Sequence, residues 1–346
     1  MNVNGKHYKT VWFEDNKIMM INQNKLPFIF QIIACKNLEE SCTAIKNMTV
    51  RGAGAIGVTA GFAMAQASMQ ITINNLYEKQ LLNAANKIMN TRPTAKDLSY
   101  SVTRVLKAAL MSPEKAYNEA LSIAEENENA CKKIGDYGNQ IIENGFKIVT
   151  HCNAGWLAFV DYGSALSPIY TAKNAGKNIF VWVNETRPRL QGAKLTAWEL
   201  KNENINHTII PDNACAALMQ KGEIHLMITG ADRIANNGDT ANKIGTLEKA
   251  IACKYFGIPF YVAAPLSTFD FEISSGNDII IEERDEAEII YAEGITQDNK
   301  LTKIQLCSPD SKAYNMAFDV TPAKLITGFI TEKGIFTPQE IKLLCN

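Results

Sequence analysis

The amino-acid sequence predicts an α/β protein in which a mainly helical N-terminal region with a short β-hairpin precedes a parallel sheet covered by helices. Up to about residue 145, a short β start is followed by apolar residues that recur at helical spacing. Beyond it, short runs rich in β-branched and aromatic residues alternate with helix-compatible stretches, a pattern typical of a parallel sheet buried on both faces. At about 150 residues per domain, 346 residues suggest two domains, which we assign to 1–135 and 136–346.

The first region is expected to begin with a hairpin. Its strands are predicted at 8–13 and 17–22, separated by the turn residues Glu14, Asp15 and Asn16. Thr91-Arg92-Pro93-Thr94 breaks the helical pattern, and Pro113 marks the start of the last helix of this region. Helices are predicted at 38–48, 55–71, 76–90, 95–111 and 113–135.

The second region alternates strands and helices. Strands are predicted at 146–150, 178–183, 207–210, 225–229 and 259–263, with helices at 155–173, 190–203, 213–221 and 241–256. Residues 271–312 are polar with weak periodicity, so we expect loops and a short strand or two there. A final apolar segment, 315–332, precedes a short helix near 337–345.

Composition excludes several classes of protein. With 35 basic and 36 acidic residues, the net charge of −1 gives no general signal for nucleic-acid binding. No run approaches about 18 apolar residues, and the N-terminus lacks a basic segment followed by an apolar one, so we expect neither a membrane span nor a secretion signal but a cytoplasmic protein. Without a CxxC or HxxxH pair we expect no metal site. The cysteines are expected to be free thiols: Cys35, Cys42, Cys131, Cys152, Cys215, Cys253, Cys307 and Cys345.

Polar residues follow four of the five predicted strands of the second region, and Ala264 and Pro265 follow the fifth. Ligands of open parallel sheets bind beyond the carboxyl ends of the strands, so these side chains should converge on one crevice. Each residue alone is a weak signal, because a lone cysteine is usually structural and a strand-end aspartate often caps the next helix. The expected group is Cys152, Glu185, Arg187, Asp212, Asp232 and Arg233.

A second group of residues is suited to binding an anion. Arg51 and the small residues 52–57 precede an apolar helix, where backbone N–H groups can approach a phosphate. The alternative is a glycine-rich helix start packed against a neighbour, since the stretch is neither a Walker loop nor a GxGxxG loop. Asn242 and Lys243 are expected to start another helix, and Arg92 and Gln191 are further donors.

Together, these strings resemble the methylthioribose-1-phosphate isomerase family, over residues 5 to about 340. The wider superfamily also contains archaeal ribose-1,5-bisphosphate isomerases and the regulatory subunits of the eukaryotic initiation-factor exchange complex. The matching strings are Val50–Gly57, Thr91–Thr94, Thr150–Gly155, Glu185–Pro188, Gln191–Ala193, Gly230–Ala235, Asn237–Asp239, Asn242–Gly245, Pro259–Pro265, Glu282–Arg284 and Phe318–Pro322.

The resemblance implies a Rossmann-like domain preceded by the smaller helical domain, a homodimer, and a cofactor-free aldose–ketose isomerisation in methionine salvage. The implied substrate is 5-methylthioribose 1-phosphate, a small phosphorylated sugar, with neither nucleic acid nor membrane as a partner. By motif match, Cys152 and Asp232 are the catalytic pair. The implied phosphate-binding residues are Arg51, Gly52, Ala53, Arg92, Gln191, Asn242 and Lys243.

The chain departs from the family pattern near the implied site. Gly54 stands where proline is usual, which predicts a more flexible phosphate loop, and Asn184 stands where aspartate is usual. Trp156 and Phe159 replace smaller residues, so they either pack a helix or reshape the pocket for the sugar's 5-substituent. Isomerases of 5-deoxyribose 1-phosphate or ribose 1,5-bisphosphate are therefore alternatives. A regulatory subunit of the initiation-factor type is a third, which the presence of both Cys152 and Asp232 disfavours, and a nucleotide-binding α/β protein is a fourth, which the missing GxGxxG disfavours.

Overall fold

The computed structural model describes residues 1–345, and their side chains through residue 344. The chain opens with strands β1 (Asn2–Val3), β2 (Lys6–His7), β3 (Val11–Glu14), β4 (Lys17–Ile21) and β5 (Ile32–Cys35). The predicted hairpin is confirmed: β3 and β4 pair around Asp15 and Asn16, whose φ angles of 48° and 59° are those of a tight hairpin turn. Strand β5, which pairs with β4, was not predicted because its four apolar residues do not alternate with polar ones.

The predicted helices of the first region are confirmed to within three residues at each end. Asn37 and Ser112 cap the first and the last by accepting hydrogen bonds from Glu40 N and Lys115 N. The second helix is buried along almost its whole length, so it forms the centre of the helical core. The helices are α1 (Leu38–Lys46), α2 (Ala53–Gln70), α3 (Tyr77–Met89), α4 (Lys96–Ala109) and α5 (Pro113–Gly138).

The predicted strands of the second region are also confirmed, and they form a sheet that is parallel except for its last strand. Its strands are β6 (Lys147–Thr150), β7 (Phe180–Asn184), β8 (His207–Ile210), β9 (Leu226–Thr229), β12 (Phe260–Ala263), β17 (Gly328–Thr331) and β18 (Gly334–Phe336). The smaller sheets of this region contain β10 (Arg233–Ala235), β11 (Thr240–Lys243), β13 (Phe269–Asp270), β14 (Tyr291–Ile295), β15 (Leu301–Gln305) and β16 (Phe318–Thr321). The order in the main sheet is β18-β17-β12-β9-β6-β7-β8. Strands β6 and β9 are therefore neighbours, and their carboxyl ends meet at one edge.

The helices of this region are α6 (Ser167–Asn174), α7 (Ala197–Asn202), α8 (Cys215–Gln220), α9 (Thr246–Phe256) and α10 (Ala287–Ile290). The prediction of a helix from residue 155 was wrong up to residue 166. There, Trp156–Ala158 forms a single 3₁₀ turn, because the buried Glu199 carboxylate accepts hydrogen bonds from the backbone N–H groups of Trp156 and Leu157. The expected helix at 190–203 starts as a π-helical turn over Gly192–Thr196.

The predicted helix at 241–256 begins only at Thr246. Thr240–Lys243 is instead strand β11, which pairs with β10 and β16, and Gly245 reverses the chain with a φ of 97°. In the polar segment 271–312, β14 and β15 form the hairpin that was expected as a short strand or two. Residues Pro338–Cys345 are 3₁₀-helical.

Two sequence expectations concern the whole chain. Within residues 1–345, no helix is long and apolar enough to cross a membrane. The cysteines from Cys35 to Cys307 are free thiols, as expected, whereas the thiol of Cys345 lies outside the described side chains.

Candidate active site

A crevice lies between the start of α2, the 91–97 segment and the carboxyl ends of β6 and β9, with a cavity volume of about 100 Å³. Its lining contains every residue that motif matching assigned to the site: Arg51, Gly52, Ala53, Arg92, Cys152, Gln191, Asp232, Asn242 and Lys243. Residues far apart in the sequence are thus brought together by the sheet edge and by the helical region packed over it.

Cys152 follows β6 and is held by its backbone. Its φ of 65° is unusual for a residue with a side chain, and its N–H donates to Thr186 Oγ1 at 2.8 Å, while its carbonyl accepts from Thr196 Oγ1 at 2.7 Å. Burial raises the pKa of the Cys152 thiol, although the charges of Arg51 and Lys243 oppose this shift. The thiol is therefore protonated near neutral pH.

Asp232 follows β9, and its backbone N–H donates to the carbonyl of Ala241 at 2.9 Å. Burial raises the pKa of its carboxyl, and the cations Lys243, Arg51 and Arg92 partly oppose that shift. The raised pKa increases the fraction of the protonated form, as a general acid requires.

Arg51 and Gly52 form one wall of the crevice. The Arg51 guanidinium donates to the side-chain and backbone oxygens of Asn153 at 2.7 and 2.8 Å, which fixes its position across the crevice. Gly52 has a φ of 89°, and a Cβ there would lie 2.5 Å from Cβ of Ala158. Position 52 therefore requires glycine. Gly52 and Ala53 also line the crevice, so the N–H groups at the start of α2 can approach a bound anion there.

Arg92 extends into the crevice from the segment before α4. Its Nη2 lies 3.4 Å from Glu282 Oε2, and its Nε is buried without a hydrogen-bond partner. A buried donor without a partner is costly, so Arg92 is suited to a ligand that accepts hydrogen bonds.

Asn242 and Lys243 lie on β11 rather than at a helix start, which corrects the predicted geometry of this part of the site. The Lys243 ammonium donates to the carbonyl of Ala317 at 2.8 Å and lies over the Phe318 ring. Burial lowers its pKa, and the negative charges that Cys152 and Asp232 can carry oppose that shift. Gln191 is buried, and its Oε1 has no partner.

The expected convergence of six strand-end residues is only partly correct. Cys152, Asp232 and Arg233 line the crevice, but Glu185, Arg187 and Asp212 do not. The Asp212 carboxylate accepts from the backbone N–H groups of Thr186 and Arg187, so it shapes the loop after β7. Its role is structural, although it does not cap the next helix.

Sequence reasoning missed Glu199, which supports the site from behind. Its carboxylate accepts from Asn153 Nδ2 at 2.7 Å and from the hydroxyl of Tyr170 at 2.6 Å, in addition to two backbone N–H groups. Asn153 in turn holds Arg51. The signal available in the sequence was an acidic residue among Ala197, Trp198 and Leu200, at the start of α7.

His151 is a second residue that was not predicted. It is buried in the crevice wall, and burial together with the Lys249 charge lowers its pKa to about 3, so the imidazole is neutral. Its Nε2 lies 2.8 Å from the carbonyl of Ile244, so this nitrogen carries the hydrogen and Nδ1 is an acceptor without a partner.

Among the described residues, no group of three or more His, Cys, Asp or Glu side chains is arranged to hold a metal ion. Of the departures from the family pattern, Trp156 is a core residue stacked on Trp198, and Phe159 lines the crevice. The amide of Asn184 donates to the carbonyl of Thr150 at 2.9 Å. Gly54 lies not in a free loop but within the first turn of α2, where it is buried.

Comparison with known proteins shows which families and structures the chain is similar to. The model of the Initiation factor 2 subunit family matches residues 49–338. The methylthioribose-1-phosphate isomerase of Sulfurimonas denitrificans is 46% identical, with 95% of each chain covered. That of Caldicellulosiruptor saccharolyticus is 44% identical, with 96% of each chain covered.

Two solved structures are similar over nearly the whole chain. The 5-methylthioribose 1-phosphate isomerase of Pyrococcus horikoshii OT3 is 38% identical with a TM-score of 0.86, covering 98% of this chain and 96% of that one. The translation initiation factor eIF-2B, subunit delta, from A. fulgidus is also 38% identical, with a TM-score of 0.82, covering 97% of this chain and 100% of that one.

Proposed function

The chain belongs to the Initiation factor 2 subunit family and, within it, to the methylthioribose-1-phosphate isomerases, and from this we propose that it converts 5-methylthioribose 1-phosphate to 5-methylthioribulose 1-phosphate. The reaction is a cofactor-free aldose–ketose isomerisation in methionine salvage. The observation that carries the proposal is that Cys152 and Asp232 follow neighbouring strands into one crevice, which is also lined by cationic side chains.

We assign phosphate binding to the cationic side of the crevice. The backbone of Gly52 and Ala53 at the start of α2 offers N–H groups, and Arg51, Arg92 and Lys243 supply charge. The partnerless Nε of Arg92 supports this assignment, because a phosphate oxygen satisfies it. Gln191 and Asn242 are assigned to the same substrate by their place in the lining.

Asp232 is assigned as the acid that opens the sugar ring. Because C1 carries a phosphate ester, the ring cannot open to a free aldehyde by itself, and a proton must reach the ring oxygen. The raised pKa of the Asp232 carboxyl favours the protonated form that this step needs. A bound phosphate brings further negative charge, which raises that pKa again.

A hydride shift best explains how the hydrogen is transferred from C2 to C1. A phosphoenolate route needs a base at C2, and the raised pKa of the Cys152 thiol disfavours the thiolate that would act as this base. In the hydride route, Asp232 first gives its proton to the ring oxygen. As a carboxylate it then accepts the O2 proton when O2 becomes the ketone. One residue thus balances both proton transfers, and Cys152 contributes a polarisable S–H beside the reacting carbons.

The crevice favours an apolar 5-substituent on the sugar. Its lining includes Met48, Ile56 and residues 279–281, which are isoleucines. Two of its other cations, Lys96 and Arg233, are paired with Asp270 at 3.2 and 3.5 Å. A second phosphate, as in ribose 1,5-bisphosphate, would therefore compete with an existing ion pair.

A binding role of the initiation-factor type is the second candidate, because the A. fulgidus structure has the same fold at the same identity. A turnover panel separates the two. Purified protein is given methylthioribose 1-phosphate, 5-deoxyribose 1-phosphate and ribose 1,5-bisphosphate, each deuterated at C2, and the products are followed by NMR. We expect turnover of the first, with deuterium retained at C1. Absence of turnover with all three contradicts the isomerase proposal, and loss of deuterium to water contradicts the hydride route.

We further propose a cytoplasmic homodimer whose chain divides into a helical domain, 1–135, and a Rossmann-like domain, 136–346. The division is supported by an apolar cluster that comes almost wholly from residues 11–123. Exposed apolar side chains on α9, Ile251 at 53% and Tyr255 at 82%, support contact with a second copy. Its molecular mass in solution tests the homodimer.

A further inference from the structure

Gly54 is in contact with an aromatic ring from the sheet region. It lies in the first turn of α2, directly after Ala53, and it is buried. A Cβ at position 54 would come closer than 3.0 Å to Cδ1 of Phe159 and would lie 2.9 Å from Cε1 of the same ring. Real Cβ atoms essentially never make such contacts, so the ring occupies the volume that a side chain at position 54 would need.

The Phe159 ring has little freedom to move away. The preceding 3₁₀ turn is held by Glu199, and the following N–H, of Val160, donates to Oδ1 of Asn127 on α5 at 3.0 Å. Phe159 is 4% exposed and packs against Cys131 of the same helix. The segment 156–160 is therefore fixed on both sides of the ring.

Gly52, two residues earlier, is also packed too closely for a side chain. Gly52 lies against Ala158, where a Cβ would lie 2.7 Å from the Ala158 carbonyl oxygen. Residues 158 and 159 thus pack against the two glycines that flank Ala53, at the place where α2 offers its N–H groups to the crevice. The position of this helix start is set by contact with the 156–160 segment.

We propose that Phe159 is a positioning residue for phosphate binding: its ring fills the place of a residue-54 side chain and fixes the start of α2, so that Arg51–Ala53 face the crevice. This inference rests on the proposed function. It also links two departures from the family pattern, Gly54 and Phe159. The large ring at position 159 leaves no room for a side chain at position 54.

The test is a set of variants that exchange volume between the two positions. Gly54→Ala adds a methyl group against the ring, Phe159→Leu removes the ring, and the double variant combines them. Gly61→Ala is the matched control, because Gly61 is buried in the same helix but its Cβ would make only ordinary contacts, at 3.6 Å from Ser101 and Val105. Alanine is normally the better helix residue, so a clash reverses the expected sign.

We expect Gly54→Ala to raise KM for methylthioribose 1-phosphate about tenfold with kcat changed less than threefold, and the double variant to return KM to within threefold of the unmodified protein. Gly61→Ala should leave KM unchanged and Tm unchanged or higher. An effect of Gly54→Ala no larger than that of Gly61→Ala overturns the proposal.

Two further arms complete the test. The added Cβ would also lie 2.6 Å from Nδ2 of Asn127, so Gly54→Ala/Asn127→Ala is measured as well. If KM is restored by Asn127→Ala but not by Phe159→Leu, the role of the ring is overturned. The rise in Tm caused by inorganic phosphate is recorded for every variant. It reports the anion site without turnover, so failure of the isomerase proposal and failure of this inference are distinguished.

Discussion

Asp97, in the first turn of α4, is a buried carboxyl that lowers the stability of the folded protein at neutral pH. It is 5% exposed, and its Oδ2 has no hydrogen-bond partner. Burial raises its pKa from 3.8 to about 6, against the opposing effects of a hydrogen bond with Ser267 and the Lys96 charge. The folded state therefore holds a proton that the unfolded state releases at lower pH.

The effect of Asp97 on the stability of the folded state follows from this difference in pKa between the folded and unfolded states. Below pH 3.8 both states are protonated and Asp97 costs nothing; between pH 3.8 and 6 stability falls as pH rises, and the loss persists above pH 6. Each pKa unit is worth about 1.4 kcal/mol, which gives a cost of about 3 kcal/mol at pH 7.5. Asp97→Asn removes that cost, but it leaves a buried N–H₂ group short of an acceptor, at about 1–2 kcal/mol. The net expectation is a gain of about 1–2 kcal/mol at pH 7.5.

Calorimetry of the unmodified protein and Asp97→Asn at pH 4.5 and 7.5 tests this. We expect the variant to have a Tm about 1–3 °C higher at pH 7.5 and no advantage at pH 4.5. The matched control, Asp136→Asn, replaces an exposed aspartate on α5, so its effect on Tm measures the removal of a surface carboxylate alone. A lower Tm for Asp97→Asn at both pH values would refute the reasoning.

Three further predictions concern the site. Arg92→Ala should raise KM for the phosphorylated sugar about tenfold or more, since a charged hydrogen bond is worth about 1.5–3 kcal/mol; an unchanged KM in steady-state kinetics counts against the phosphate assignment. Glu199→Gln should cost about 1–3 kcal/mol of unfolding free energy and raise KM, because an N–H₂ group then faces the donors of Asn153 and Tyr170; denaturant titration with kinetics measures both, and an unaltered stability contradicts it. Full activity after exhaustive chelation is expected, and activity restored only by an added divalent ion would disprove it.

Regular elements with a strong period were predictable from the sequence, and the exceptions have local causes. The helices at 38–48 and 76–90 match α1 and α3 because their apolar spacing is helical. The segment at 155–166 was predicted as helix from its apolar residues, yet the N–H groups of Trp156 and Leu157 donate to the buried Glu199 carboxylate. The positive φ angles of residues 162 and 163 also interrupt a helix. A long-range contact such as that with Glu199 has no periodic signal.

The residues that line the crevice were predictable by motif, but their geometry was not. Strand ends placed Cys152 and Asp232 correctly, because neighbouring parallel strands end at the same edge. The position of Lys243 on β11 depends on pairing with β16, about 75 residues later, which local sequence cannot indicate. The partnership of Gly54 with Phe159 is likewise a contact between distant segments.

The central claim, that Asp232 is the acid of an isomerisation, is tested most directly by kcat of Asp232→Asn with methylthioribose 1-phosphate. Asparagine has nearly the same shape but cannot deliver a proton. We predict that kcat falls by about 10²–10⁴ while Tm and the phosphate-induced rise in Tm are retained. In the unmodified enzyme, kcat should fall as pH rises through the raised pKa of Asp232, because the acid must carry its proton. A kcat of Asp232→Asn near that of the unmodified enzyme would contradict the account.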